Sequence, residues 1–183
     1  RLMLRAGAGK TACALMAAER ATLSPVLVVV HERATLEQWL DRIAEHTDLP
    51  RDAVGVIQGN VADYTGRTVA VAMMHTLALR ADRAGPDCWE PLQAWLRGGL
   101  VVYDELDVFP AAKMQRALSL FEATRWGLTA THRPDGLQRV LELHLGPREF
   151  YRGGYDLKPV VLSYRVPVPG YFGRYRNFTN CLT

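Results

Sequence analysis

Gly7-Ala8-Gly9-Lys10-Thr11 stands between the stretch Arg1-Leu2-Met3-Leu4 and an alanine-rich stretch from Lys10 to Arg20. Arg1–Leu4 reads as the end of a strand and the alanine-rich stretch as a helix, which puts the glycines in a strand-to-helix turn. Such a turn suits an anion. Glycines let successive backbone N–H groups face inward, and the helix N-terminus adds partial positive charge. Read as a phosphate-binding loop, Gly7, Ala8, Gly9, Lys10 and Thr11 would cradle a nucleotide such as ATP, with the Lys10 ammonium on its β- and γ-phosphates and the Thr11 hydroxyl on Mg²⁺. Leu4 stands where the full eight-residue pattern has its first glycine, and a plain glycine turn before a helix is the alternative.

Outward from this loop, short β-branched runs alternate with helical stretches. Pro25–Val30, Val54–Ile57, Thr68–Met73, Leu100–Tyr103 and Arg125–Leu128 read as strands. Between them Thr35–Glu45, Met74–Ala81, Glu90–Arg97, Ala111–Phe121 and Leu137–Leu145 read as helices. The run Pro25–Val30 is apolar throughout, as a strand buried on both faces requires. The alternation predicts an α/β fold, a parallel β-sheet sandwiched by helices. Beyond Gly146-Pro147 the pattern changes to Tyr- and Val-rich pieces broken by Gly153-Gly154 and Pro167-Val168-Pro169-Gly170. Residues 1–147 are therefore expected to form the domain, and 148–183 its final strand or strands and a linker.

Length and composition agree. The 183 residues suit one domain with a tail, and 49% hydrophobic with 22% charged residues excludes wholesale disorder. No apolar run approaches the roughly 20 residues of a membrane span, and there is no secretory signal. The chain opens on Arg1 rather than Met, as a fragment or processed product would. Cys13, Cys88 and Cys181 lie too far apart for a disulfide framework or a zinc ligand set, so a reducing cytoplasm, bacterial or phage-encoded, is expected. Of 22 basic residues only Lys10, Lys113 and Lys158 are lysines, which reflects either codon bias in a GC-rich genome or selection for phosphate contacts. The net charge of +3 is uneven. Arg148, Arg152, Lys158, Arg165, Arg174 and Arg176 outweigh Glu149 and Asp156, leaving residues 1–147 near neutrality.

Asp104-Glu105-Leu106-Asp107 follows the strand Leu100–Tyr103. A carboxylate at the C-terminal end of a buried parallel strand lies where open α/β sheets bind ligands. Asp104 would hold Mg²⁺ and Glu105 would serve as general base for an attacking water. Adjacent acids are also common at helix N-termini, so the pair gains its meaning from the phosphate loop. Thr129-Ala130-Thr131 closes the next strand. The Thr129 and Thr131 hydroxyls could bridge the acidic turn to its neighbours and couple them to the nucleotide, or form an ordinary strand-end turn.

The ordered set Gly7-Ala8-Gly9-Lys10-Thr11, His31-Glu32-Arg33-Ala34-Thr35-Leu36-Glu37-Gln38-Trp39, Met74-His75-Thr76-Leu77, Asp104-Glu105-Leu106-Asp107 and Gly127-Leu128-Thr129-Ala130-Thr131 resembles motifs I, Ia, Ib, II and III of superfamily 2 (DExD/H-box) helicases. The string from Leu128 to Gly136 is similar to the branch that holds phage branch-migration helicases, the excision-repair helicase of transcription and restriction-enzyme ATPase subunits. His132 replaces a usual proline, and Asp107 stands where His is common. The resemblance covers about residues 1–165. It implies the N-terminal RecA-like domain of a DNA-dependent helicase or translocase. In that domain Arg33, His75 and Thr76 would touch the sugar–phosphate backbone without reading sequence. Arg33 could instead only cap its helix, while Leu36 and Trp39 read as core.

The same resemblance implies a partner. Superfamily 2 motors close a second RecA-like domain, in cis or trans, over the nucleotide to supply arginines, and hydrolysis without such arginines slows by about 10³–10⁵-fold. The chain alone is therefore expected to bind nucleotide weakly and to turn over slowly. Two rival readings stay open: a stand-alone nucleotide-gated DNA-binding module, and another P-loop motor such as a packaging ATPase. Eight of the 16 aromatics fall after residue 149, interleaved with arginines. That tail reads as an edge strand plus linker, with nucleic-acid stacking around Gly170–Arg176 as the alternative.

Overall fold

A computed structural model describes residues 2–4, 7–109, 118–130, 138–146 and 150–152. In chain order the elements are β1 (Leu2–Leu4), α1 (Lys10–Arg20), β2 (Val26–Val30), α2 (Arg33–His46), β3 (Val54–Gln58), β4 (Val61–Ala62), β5 (Val69–Met73), α3 (Met74–Ala84), α4 (Glu90–Trp95), β6 (Leu100–Tyr103), β7 (Thr124–Thr129), α5 (Gln138–Leu145) and β8 (Phe150–Arg152). The strands form one eight-stranded sheet in the order β4-β3-β5-β2-β6-β7-β1-β8. Every pairing is parallel except the antiparallel contact of β3 with β4. This is the α/β sheet with covering helices that the alternation predicts.

Two apolar layers hold it. All five residues of β2 are buried, and successive side chains leave a strand on opposite faces. Val26, Val28 and Val30 join Ala14 and Ala18 of α1 and Leu36, Trp39 and Ile43 of α2 in one cluster. Leu27 and Val29 join Leu77 of α3, Leu92 of α4 and Leu141 of α5 in the other. Leu36, Trp39 and Ile43 recur at the helical spacing that gives α2 one buried stripe. Tyr103, at the end of β6, is fully buried and meets Phe109 edge-on at 5.2 Å between ring centroids. Burial pushes its phenol far above the usual range, and nearby Arg125 opposes that only in part.

Some boundaries differ from expectation. Helix α2 starts at Arg33 rather than Thr35, and the Arg33–Glu37 pair at 2.9 Å ties its first turn. Strand β4 has two residues, too few for any periodicity to announce it. Of the helix expected over residues 111–121, Leu118 and Ser119 are helical and 111–117 lie outside the described residues. The tail from 153 to 183, with the expected linker, also lies outside them. Strand β8 pairs with β1, so the sheet continues past residue 147. No described helix is long and apolar enough to cross a membrane.

Gly127 in β7 packs directly on the turn after β6. A Cβ there would lie 2.5 Å from Leu106 Cδ2. Gly127→Ala is expected to lower stability by about 1–3 kcal/mol, because Leu106 is fully buried and must shift. Thermal denaturation reads this. A melting temperature equal to that of the wild type would show that Leu106 yields freely.

Candidate functional site

Parallel strands end on one edge, and the strand order fixes which loops are neighbours there. The Gly7–Thr11 turn leaves the end of β1. Beside it is Thr129, the last residue of β7, then Asp104-Glu105 after β6, then His31-Glu32-Arg33 after β2, then His75-Thr76 after β5. Adjacent strands lie about 4.8 Å apart. The acidic pair is thus two strand spacings, ~10 Å, from the Gly7–Thr11 turn, and His75-Thr76 is four spacings, ~19 Å, from it. The glycine turn and the far end are separate places linked by the acids and the β2–α2 turn.

At the glycine turn, Gly7 and Gly9 adopt φ of 75° and 80°, a left-handed conformation that glycine enters without strain. A Cβ at either position would meet nothing within 4 Å, so conformation rather than crowding requires glycine here. Gly9 caps α1, whose first turn has no side-chain cap and no acidic residue. Its N–H groups and the positive end of the helix dipole therefore suit an anion. Gly7, Ala8 and Gly9 are exposed, while Lys10 and Thr11 are half-buried. Lys10 Nζ lies 3.5 Å from the carbonyl oxygen of Leu4, folded across the base of the loop.

Asp104 continues the alternation of Leu100 and Val102, so its side chain enters the layer that holds α2. It is 8% exposed. The indole Nε1–H of Trp39 donates to its Oδ2 at 2.7 Å, and the backbone N–H of Glu105 donates to its Oδ1 at 2.9 Å. The sequence reading of Trp39 as core is right about burial and incomplete. A buried tryptophan still carries a donor that needs an acceptor, the one signal that could have exposed this contact. Glu105 has φ 51° and ψ 55°, a left-handed backbone uncommon outside glycine. That conformation swings its side chain out of the sheet layer to about half exposure. His31, also unassigned from the sequence, sits beside it. Its Nδ1 lies 3.4 Å from Glu105 Oε2 without hydrogen-bond alignment, and its Nε2 lies 3.3 Å from Glu32 Oε1.

Thr129 Oγ1 donates to Asp107 Oδ1 at 3.2 Å, joining the end of β7 to the acidic turn. Thr131 lies outside the described residues. Arg33 is 76% exposed at the start of α2, with Glu37 as its partner. His75 is exposed on the first turn of α3. Thr76 Oγ1 accepts the N–H of Gly59 at 3.0 Å, and Arg80 holds the Gly59 carbonyl, so the β3–β4 turn is pinned against α3. A cleft of about 630 Å³ lies at the opposite edge, lined by Leu15, Leu23, Val26, Leu49 and Val69, away from all these groups.

The donor set fits a nucleotide with Mg²⁺. Among the described residues no three His, Cys, Asp or Glu side chains group around a metal. Mg²⁺ commonly takes one or two protein ligands and completes its shell with phosphates and water. Asp104, its carboxylate already oriented, and the Thr11 hydroxyl are the residues that could hold it.

Comparison with known proteins assigns the chain to a family. The family described as "Type III restriction enzyme, res subunit" matches residues 2–133. A Rad25 protein of Haloarcula marismortui, named as a putative DNA 3'-5' helicase, is 31% identical over 88% of this chain and 25% of its own length. The DNA 3'-5' helicase XPB of Kineococcus radiotolerans is 30% identical over 81% of this chain and 26% of its own. The chain thus spans about a quarter of the length of these relatives. In fold it is similar to the Sulfolobus solfataricus SWI2/SNF2 ATPase core solved with dsDNA, with a TM-score of 0.62 at 16% identity over 79% of this chain and 31% of that one. With the family matched along most of its length and a RecA-like sheet carrying the helicase motifs in order, the chain belongs to the type III restriction enzyme res-subunit family of superfamily 2 helicases.

Proposed function

We propose that the chain is the ATP-binding motor domain of a DNA-dependent helicase or translocase. The observation that carries this reading is the order of groups along one sheet edge: phosphate loop, Thr129, acidic pair, His31–Arg33, His75-Thr76. The N–H groups of Gly7 to Thr11 bind the phosphates and Lys10 reaches the β- and γ-phosphates. Thr11 and Asp104 hold Mg²⁺, which when bound neutralises charge on the phosphates. Glu105 orients the attacking water and takes its proton. Thr129, through Asp107, ties the acidic turn to the strand beside the phosphate loop, and Thr131 acts with it.

Arg33, His75 and Thr76 meet one DNA strand at the far end, where the contacts are to phosphate and sugar. A second RecA-like domain, in cis or trans, completes the active site with arginines. The reducing cytoplasm suits Cys13 and Cys88, both free thiols.

The test is ATP hydrolysis and DNA binding measured across a salt series. Turnover is expected to rise with DNA, and DNA affinity to fall log-linearly with salt. Arg33→Ala is expected to weaken DNA binding about three- to tenfold whatever the sequence. It should also reduce the salt slope by about one. Fluorescence anisotropy between about 50 and 200 mM salt reads both. An unchanged slope would confine Arg33 to its pair with Glu37.

A further inference from the structure

We propose that Trp39 is a positioning residue for the metal-binding carboxylate, its indole N–H holding Asp104 in the one orientation that serves Mg²⁺. This rests on the reading of Asp104 as a Mg²⁺ ligand. Among the described residues the bond is the shortest polar contact that reaches the acidic pair, 2.7 Å, between groups 65 residues apart. Trp39 is 1% exposed and Asp104 8%, so the bond between them lies largely out of bulk water. In such surroundings a donor to an ionised acceptor is strong and well directed.

The geometry of the carboxylate is what gives the bond a role. A free carboxylate rotates about its Cβ–Cγ bond and presents its oxygens to a metal in many ways. Here each oxygen has a donor from a different element, Trp39 Nε1 from α2 on Oδ2 and the Glu105 N–H from the acidic turn on Oδ1. Two donors on two oxygens fix the plane of the group and direct its remaining lone pairs. Packing alone would accept any large apolar ring at this place, since Leu36 and Ile43 share the buried stripe without any polar function. The N–H is the part of Trp39 that packing does not need.

Trp39→Phe separates the two roles, because phenylalanine keeps an aromatic ring in the layer and deletes the donor. In the full chain, the Mg²⁺ concentration that half-saturates tight nucleotide binding is expected to rise about tenfold, the low end for loss of a hydrogen bond to a charged group. Nucleotide affinity measured in EDTA should stay within about twofold. A core-filling role would move both together, through stability. With Asp104→Asn already present, Trp39→Phe should add no further change in Mg²⁺ dependence.

A second measurement does not depend on the folding of Trp39→Phe. The ¹H–¹⁵N indole resonance of Trp39 should lie downfield in the wild type, move upfield in Asp104→Asn, and shift on addition of Mg²⁺ and ADP. An indole resonance indifferent to Asp104→Asn, or Trp39→Phe with the Mg²⁺ dependence of the wild type, overturns the proposal. If binding is lost in Lys10→Ala while Trp39→Phe shows that unchanged dependence, only the role of Trp39 fails. A wild-type chain that binds no nucleotide overturns the functional reading and this proposal with it.

Discussion

Replacing Glu105 with glutamine is expected to lower DNA-stimulated ATP hydrolysis by about 10²–10⁴-fold, the usual contribution of a positioned general base. Nucleotide affinity should change by less than about threefold. The substitution isolates the chemistry because little else about the residue depends on its charge. Its backbone is left-handed, and glutamine has the same branching and length, so the turn is not further strained. Its side chain is about half exposed and is not part of the core. The bond from the Glu105 N–H to Asp104 is made by the backbone and survives. What disappears is the basic oxygen 3.4 Å from His31 Nδ1. Single-turnover hydrolysis in the natural full-length product, with and without DNA, measures the loss. Turnover within about threefold of the wild type would remove Glu105 as the base and move the search to its neighbours.

The fold was legible where the chain repeats its instructions. Val26–Val30 reads as a doubly buried strand because a parallel strand between two helical layers has no solvent face, and all five residues are buried. The buried stripe of α2 comes from Leu36, Trp39 and Ile43 at helical spacing. Arg1–Leu4 reads as a strand end, and Leu2–Leu4 is one. Two short strands were harder. Phe150–Arg152 has three residues, and what makes it a strand is its pairing with β1, Phe150 opposite Leu2. Val61-Ala62 exists because the Gly59-Asn60 turn folds it back on β3. Such pairings lie between residues far apart in sequence or within a turn, where periodicity has nothing to report.

The candidate site divides along the same line. The Gly7–Thr11 turn and the acidic pair are local strings at strand ends, so residue type and order suffice to put them on that edge of the sheet. The alternation of Leu100, Val102 and Asp104 even tells which layer the Asp104 carboxylate enters. Which residue meets it there depends on how far α2 slides along the sheet, and no local pattern encodes that. Hence Trp39 reads as core until the two are seen 2.7 Å apart. The left-handed turn at Glu105 was equally hidden. Glutamate carries no preference for that backbone, and the conformation is imposed by the exit from β6 and the 3₁₀ turn Leu106–Val108. His31 belongs with these, a side chain whose meaning comes from the strand next door.

Lys10→Ala is expected to produce the opposite dissociation, with nucleotide binding weakened and fold kept. Lys10 opens α1 immediately after its cap, and alanine is the best helix former, so the helix loses nothing in intrinsic propensity. Thermal stability should stay within about 1 kcal/mol, as for a half-buried site outside the core clusters. The ammonium, 3.5 Å from the Leu4 carbonyl oxygen, is a positive charge on a long flexible stem at the loop. Contacts of such a charge with phosphate oxygens are worth about 1.5–3 kcal/mol each. With the β- and γ-phosphates both engaged, ATP affinity should fall on the order of 10²-fold or more. ADP keeps only the β contact and should lose less, so the preference for ATP over ADP narrows. Residual binding persists because the N–H groups of the loop and the α1 dipole are untouched. Isothermal titration with both nucleotides measures the two affinities. An ATP affinity within about threefold of the wild type, at equal thermal stability, would leave Gly7-Ala8-Gly9 an ordinary turn before a helix, and Glu105 would have no nucleotide to act on.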